Sequence, residues 1–272
     1  MPLRAEISGR RRAERLSRLA IVQMIFGPGR GEQDDVRGEL DDDAVLAAYP
    51  WPPEGPWVRA MMVTTLDGAA AGPDGLSGSI SSSVDKTVFD AVRRHADAVL
   101  VGAGTIRAEG YGALRAKDAD AQARRDQGQA PAPVIAIVSP SLDLPWDSEL
   151  FTRSTEPPLV LTTRAPDETA LARAREARAV VVHSESDDVP PRFLVDTLVA
   201  RGLRRIVCEG GPRLLEAVAR AGLVDEADIT VSPMFAGHAH VSPTDGLSEV
   251  VGFDLVHVLT AEGFLMCRYV RA

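Results

Sequence analysis

The chain of 272 residues has little of the material from which common site signatures are built. Its two cysteines, Cys208 and Cys267, form no CxxC pair and no Cys/His cluster, so no zinc site and no other metal site is read. Each lies in an apolar, strand-like run and reads as a buried free thiol, which suits a reducing cytoplasm. The five histidines share no metal-ligand spacing on one helix face, and His238 and His240 read as solvated loop residues. There is no GxSxG elbow and no Walker phosphate loop. No apolar run approaches the ~18 residues of a membrane helix. Basic residues are also short. Lys and Arg number 30 against 39 Asp and Glu, a net charge of −9, which argues against nucleic acid as a partner.

What is present is ordinary globular material, 45% apolar and 25% charged, enough for a large core without staples. Residues 1–30 differ, with seven arginines against Glu6 and Glu14, leaving −14 on the remainder. Arg10, Arg11 and Arg12 precede a short apolar run that holds Gln23 and is followed by no small-residue cleavage site. This reads as a flexible or amphipathic extension rather than a signal peptide. An acidic stretch follows, then a short helix over 43–48 and the proline-rich break at 50–56. Residues 1–56 are therefore read as a partly flexible N-terminal extension, with the main body of the fold at 57–272.

From Trp57 onward strands and helices alternate. Strands are expected at 58–65, 98–101, 134–138, 159–163, 180–182, 205–208 and 227–231. Helices are expected at 81–94 with Ser83 as N-cap, 167–177, 191–201 and 212–221. Residues 116–129 read as an exposed helix or loop. Runs 256–259 and 264–270 form a terminal hairpin around Glu262-Gly263. The pattern implies an α/β fold, a mixed, mostly parallel sheet flanked by helices, with the antiparallel hairpin at its edge. Ligands in such sheets bind beyond the carboxyl ends of strands, which directs attention to 64–68, 102–105 and 209–211.

In the last of these a strand meets Glu209-Gly210-Gly211 and then a helix beginning at Pro212. Glycine admits close backbone approach, Pro212 fits the first helical position, and the amides around Arg213, Leu214 and Leu215 face whatever sits above. A phosphate and an empty strand–helix turn both fit this spacing. The second end is Gly102-Ala103-Gly104-Thr105, a partial glycine fingerprint with Arg107 where a third glycine would stand. The third, Thr64-Thr65-Leu66-Asp67-Gly68, places Asp67 either against a substrate or in an Asx-type turn. The serine-rich run 77–82 contacts a ligand or caps the following helix.

Taken in order, these segments and 232–237 resemble the pyrimidine reductase family, the reductase domain of the riboflavin-biosynthesis deaminase–reductase and its stand-alone relatives. The resemblance implies a dihydrofolate-reductase-like fold, NADPH as hydride donor and a homodimer. The implied reaction reduces the ribosyl group of 5-amino-6-(5-phosphoribosylamino)uracil to ribityl. The deaminase's H-x-E and PCxxC signatures are absent. Residues 211–217 match the family's pyrophosphate segment, and Thr105, Glu109 and Ser139 match cofactor positions. Ser79 stands where relatives place tryptophan against the cofactor. Thr64, Gly102, Gly104, Gly210, Gly211, Pro212, Arg213, Leu214 and Leu215 complete the cofactor set. Ser77, Arg93, Leu114, Arg115 and Glu209 match or adjoin substrate positions. Lys117 stands where relatives place a phosphate-holding arginine, and Glu109-Gly110-Tyr111-Gly112 replaces their Asp-Asp-Pro turn.

The implied chemistry is direct hydride transfer to C1′ of an open-chain imine, with Asp67 and Glu209 as candidates to supply or stabilise the accompanying proton. A pterin reductase on the same fold, with Asp67 at the pteridine, and a non-catalytic NADPH-binding module are the competing readings.

Overall fold

The computed structural model describes residues 22–27, 39–237 and 249–272. His238 and His240 therefore lie outside the described residues. Among the described residues, eleven strands form one sheet in the order β2-β1-β10-β11-β9-β3-β8-β4-β5-β6-β7. The strands are β1 (Val22–Phe26), β2 (Glu39–Leu40), β3 (Trp57–Thr65), β4 (Ala98–Gly102), β5 (Val134–Val138), β6 (Leu159–Thr162), β7 (Val180–His183), β8 (Arg205–Cys208), β9 (Glu226–Ser232), β10 (Phe253–Ala261) and β11 (Phe264–Arg271). From β9 across to β7 all neighbours pair in parallel, and from β9 back to β2 all pair antiparallel. The mixed, mostly parallel sheet with a C-terminal hairpin is the expected one.

Alternation along the central strands sends residues to two cores. Ala98 and Leu100 of β4 join Ile206 and Cys208 of β8 on one face. That face is covered by Leu194, Val195 and Leu198 of α7 (Pro191–Ala200) and Val218 of α8 (Pro212–Arg220). On the other face, Val101, Ile135, Ile137 and Val160 pack under α3 (Ala103–Glu109), α5 (Glu149–Arg153) and α6 (Glu168–Glu176). Next to them Met61 and Val207 meet α1 (Asp42–Ala47) and α2 (Ser83–Arg93). Val84, Val88 and Val92, spaced by four, form the buried stripe of α2. Its N-cap is Ser82, whose Oγ accepts from the Asp85 amide at 3.1 Å, one residue before the expected Ser83.

Four local expectations change. Residues 22–26 were read as extension, yet β1 pairs with β10 and Val22 is buried. In consequence the terminal hairpin lies inside the sheet, not at its edge. The 180–182 run was read as a buried strand, but β7 is the edge strand and Val180 is 46% exposed, because it has β6 alone as neighbour. Residues 116–129 contain a 3-10 turn and α4 (Ala121–Asp126), and two of their charges are buried. Arg124 donates to the carbonyls of Arg94, Ala96 and Ala130, and Asp120 pairs with Arg94.

A buried charge cluster ties the segment before Trp57 to the sheet. Arg59 of β3 lies 2.8 Å from Glu226 of β9, and Arg268 of β11 reaches the same carboxylate at 2.7 Å. Trp57 Nε1 donates to it as well, at 2.8 Å. The Arg59 guanidinium donates to the Pro50 carbonyl at 3.0 Å and stacks 4.0 Å from the Trp51 ring. Burial opposes the Glu226 charge, but the two arginines outweigh it and hold its pKa below the usual value. Neighbouring Asp228 goes the other way, since burial and the Glu226 charge both push its pKa well up.

Candidate active site

A cavity of about 670 Å3 opens at the carboxyl ends of β3, β4 and β8. Met61, Met62 and Val63 supply its floor from β3, and Gly104 and Thr105 enter from the start of α3. Glu209, Gly211 and Pro212 follow β8, while Asp85, Lys86, Phe89 and Arg93 project from α2.

The central polar group is Glu209, 5% exposed. Arg93 grips its carboxylate with two parallel bonds, Nε to Oε1 and Nη2 to Oε2, the second at 2.5 Å. The Tyr111 hydroxyl donates to Oε2 at 2.7 Å. The Arg93 guanidinium lies 4.5 Å from the Phe89 ring and 5.6 Å from that of Tyr111. Burial alone would weaken the Arg93 charge, but the Glu209 carboxylate more than offsets it, and the pKa of Arg93 rises. Burial, reinforced by the Glu209 charge, likewise raises the Tyr111 phenol. Both donors thus stay protonated against the carboxylate.

The glycine wall is built from two turns latched together. Gly102 N–H donates to Gly210 O at 2.7 Å, and Gly211 N–H to Thr105 Oγ1 at 2.9 Å. The Gly210–Gly211 peptide is cis, and Gly210 has a φ of +73°, a region where glycine avoids the Cβ clash. A Cβ on Gly211 would stand 2.9 Å from Thr105 Oγ1, whereas one on Gly104 would meet nothing within 4 Å. The Leu214 and Leu215 amides both donate to Gly211 O, so the α8 start presents fewer free donors than its sequence implies.

Of the sequence-derived positions, Ser77, Arg93, Gly104, Thr105, Glu109, Leu114, Glu209, Gly211 and Pro212 line this cavity. Glu109 also accepts from the Ser77 amide at 2.7 Å, fixing the 3-10 turn Ser77–Ser79. Thr64, Ser79, Gly102, Ser139, Gly210, Arg213, Leu214 and Leu215 are not among its lining residues. Ser79 Oγ bonds Asp74 Oδ1 at 2.8 Å, within its own turn. Ser139 follows β5 and is buried with no partner for its hydroxyl. Arg115 turns outward to Glu149 at 3.4 Å.

Asp67 does not line the cavity either. Its carboxylate accepts from Thr65 Oγ1, from Ala236 N at 3.1 Å and from Gly237 N at 2.8 Å. The Thr65 bond, followed by those amides, lowers its pKa to about 2. Asp67 therefore staples the turn after β3 to the loop after β9. Cys208 is fully buried, and burial pushes its thiol up to about 12, which excludes a thiolate nucleophile.

Sequence reasoning missed Tyr111, Lys86 and Phe89. Tyr111 lies in the segment that departs from the family's turn, where no motif predicts a contact. Lys86, Phe89 and Arg93 share one stripe of α2, and helical spacing from Arg93 was the available signal.

A glycine-walled cavity at parallel strand ends, with the anchored Glu209 carboxylate at its centre, is a candidate small-molecule site. A pyrimidine reductase-like protein from Corynebacterium diphtheriae shares this fold with a TM-score of 0.70 and 26% identity, over 80% of this chain and 92% of its own. The chain belongs to the family described as the RibD C-terminal domain, whose model matches residues 56–263. It is similar to a 2,5-diamino-6-ribosylamino-4(3H)-pyrimidinone 5′-phosphate reductase from Archaeoglobus fulgidus, 28% identical over 70% of this chain and 85% of that protein. It is also 24% identical to the riboflavin biosynthesis protein RibD of Aquifex aeolicus, over 68% of this chain and 48% of that protein. The protein is thus an oxidoreductase of the riboflavin-biosynthesis reductase family.

A reductase on this fold takes a nicotinamide cofactor, and the residues present fit one. The open face of Gly104 and the Thr105–Gly211 latch, both in the cavity lining, are groups that a dinucleotide can approach or engage. Among the described residues no group of three His, Cys, Asp or Glu is placed to hold a metal ion.

Proposed function

We propose that the protein is an NADPH-dependent reductase of a 6-ribosylaminopyrimidine 5′-phosphate, the uracil form in the first instance, converting its ribosyl group to ribityl. The observation that carries this reading is one cavity lined both by the glycine wall and by the Arg93–Glu209–Tyr111 group. NADPH, when bound, supplies the hydride. Thr105, Gly104 and Gly211 offer its pyrophosphate and nicotinamide a close backbone approach. Met61, Met62, Phe89 and Leu114 exclude water from the reacting carbon. Glu209, fixed by two protonated donors, keeps one lone pair of Oε1 for a substrate N–H, and the proton that the imine nitrogen gains as the hydride arrives comes from solvent at the cavity mouth. Asp67 is assigned no proton-transfer role, because its lone pairs serve amides outside the cavity.

The pterin alternative relied on Asp67 facing the ring, and the position of that residue removes its main support. We assign the protein to the cytoplasm, in keeping with its two free thiols. We further assign a homodimer formed through the face of β9, β11 and β10 opposite the charge cluster. There Ala227, Ile229, Val231, Cys267 and Tyr269 are half-buried and Leu265 is 39% exposed, while the residues alternating with them are buried. The test is NADPH oxidation with 5-amino-6-(5-phosphoribosylamino)uracil, its 2,5-diamino counterpart and dihydrofolate. Turnover of a pyrimidine is expected, and turnover of dihydrofolate alone would overturn the assignment.

A further inference from the structure

Among the described residues, the charges in the cavity leave one cation available. Arg93 is closed on Glu209, and its flat face is packed by Phe89 and Tyr111. Arg115 is paired with Glu149 on the outer surface, and neither Arg115 nor Lys117 lines the cavity. The carboxylates are committed too. Asp85 accepts from Ser81 Oγ at 2.6 Å, Glu109 from the Ser77 amide, and Glu209 from Arg93 and Tyr111. Lys86 lines the cavity, is exposed at its mouth, and forms no ion pair among the described residues. It sits seven residues before Arg93 on the same stripe of α2, so the two positions are ~10 Å apart along the helix axis.

We infer that Lys86 is the specificity-determining residue that holds the substrate's terminal phosphate, in place of a cation on the 114–117 segment. The inference rests on the proposed reading of the site. The ring and C1′ lie at the Glu209 end, and the open five-carbon chain runs along α2 toward the mouth, where its phosphate meets the Lys86 ammonium. An acidic cavity with no such cation would repel a phosphate dianion, so the discrimination between phosphorylated and dephosphorylated substrate falls on this side chain.

The experiment compares KM for the phosphorylated and dephosphorylated ribosylaminopyrimidine in the wild type, Lys86→Gln, Lys86→Arg and the double variant Arg115→Gln/Lys117→Gln. For Lys86→Gln, KM for the phosphorylated form is expected to rise about tenfold or more with kcat held, the signature of lost uniform binding. KM for the dephosphorylated form stays unchanged, Lys86→Arg restores the preference, and the double variant keeps it. A preference that survives in Lys86→Gln, or disappears in the double variant, overturns the inference. If the wild type reduces neither pyrimidine, the proposed function falls separately, and ligand-observed NMR with ribose 5-phosphate against ribose decides Lys86. Phosphate-selective binding lost in Lys86→Gln supports the assignment, and binding that is unchanged or absent in both proteins overturns it.

Discussion

The Tyr111 hydroxyl donates to Glu209 Oε2 across 2.7 Å, while Arg93 holds both oxygens of that carboxylate from α2. Three separate segments thus meet on one acid. In Tyr111→Phe the salt bridge survives and one donor is lost. Stability should fall by only about 0.5–1.5 kcal/mol, the net worth of one hydrogen bond. Pyrimidine-dependent kcat/KM should fall about tenfold, because Glu209 gains a rotational freedom it lacks now. Thermal melts and steady-state kinetics on one preparation separate the two effects, and an unchanged kcat/KM would remove Tyr111 from the site.

Gly104 gives a test of the cofactor wall that leaves the fold untouched. A Cβ at this position meets nothing within 4 Å beyond its own helix and chain neighbours, so Gly104→Ala should melt no lower than the wild type. Its Kd for NADPH, read by fluorescence titration, should rise about tenfold or more if a dinucleotide approaches there. Equal affinity in the two proteins would move the cofactor away from this turn.

For Asp67 the expected defect is in folding rather than chemistry. Its pKa is lowered to about 2, so its contribution to stability is full above the unfolded value near 4 and is lost as pH falls through about 2. Asp67→Asn should lower the melting temperature at pH 7, and its deficit relative to the wild type should shrink toward pH 2. Hydride transfer per folded molecule, measured in single turnover, should be unchanged. A variant that folds normally but transfers no hydride would return Asp67 to the chemistry.

Glu226 neutralises two buried arginines at once. Glu226→Ala should cost about 3–5 kcal/mol in chemical denaturation, because it leaves those charges unpaired in the core. A loss below ~1 kcal/mol would mean that Asp228 ionises and takes over the pairing.

The apolar sheet face predicts the assembly. Leu265→Lys places a charge on its most exposed apolar residue and should convert the mass seen by light scattering from dimer to monomer without changing the secondary structure.

How much of this was legible in the sequence depended on the range of the interactions. Buried runs such as 98–101 and 205–208 declare themselves because both faces are covered, and the cis Gly210–Gly211 turn lies where paired glycines announced it. Val22–Phe26 did not, because a short run beside arginines becomes a strand only when β10 offers it an edge. Asp67 was recognisable as a turn residue. Its real partners, Ala236 and Gly237, are some 170 residues away, and no local pattern encodes them. Arg115 had the right neighbourhood in sequence, but its backbone directs the side chain to Glu149.

The fastening of Trp51 and Pro50 onto Arg59 bears on how this enzyme can be recombined with its relatives. The family match begins at residue 56, which invites a junction there. A chimera joined at that point would bring foreign chain to a socket shaped for this chain's own residues. Arg59 and Arg268 would lose the Pro50 and Ala48 carbonyls they now contact, along with the indole that covers one of them. The tolerant junction lies upstream of α1, so that the socket and its plug are inherited together.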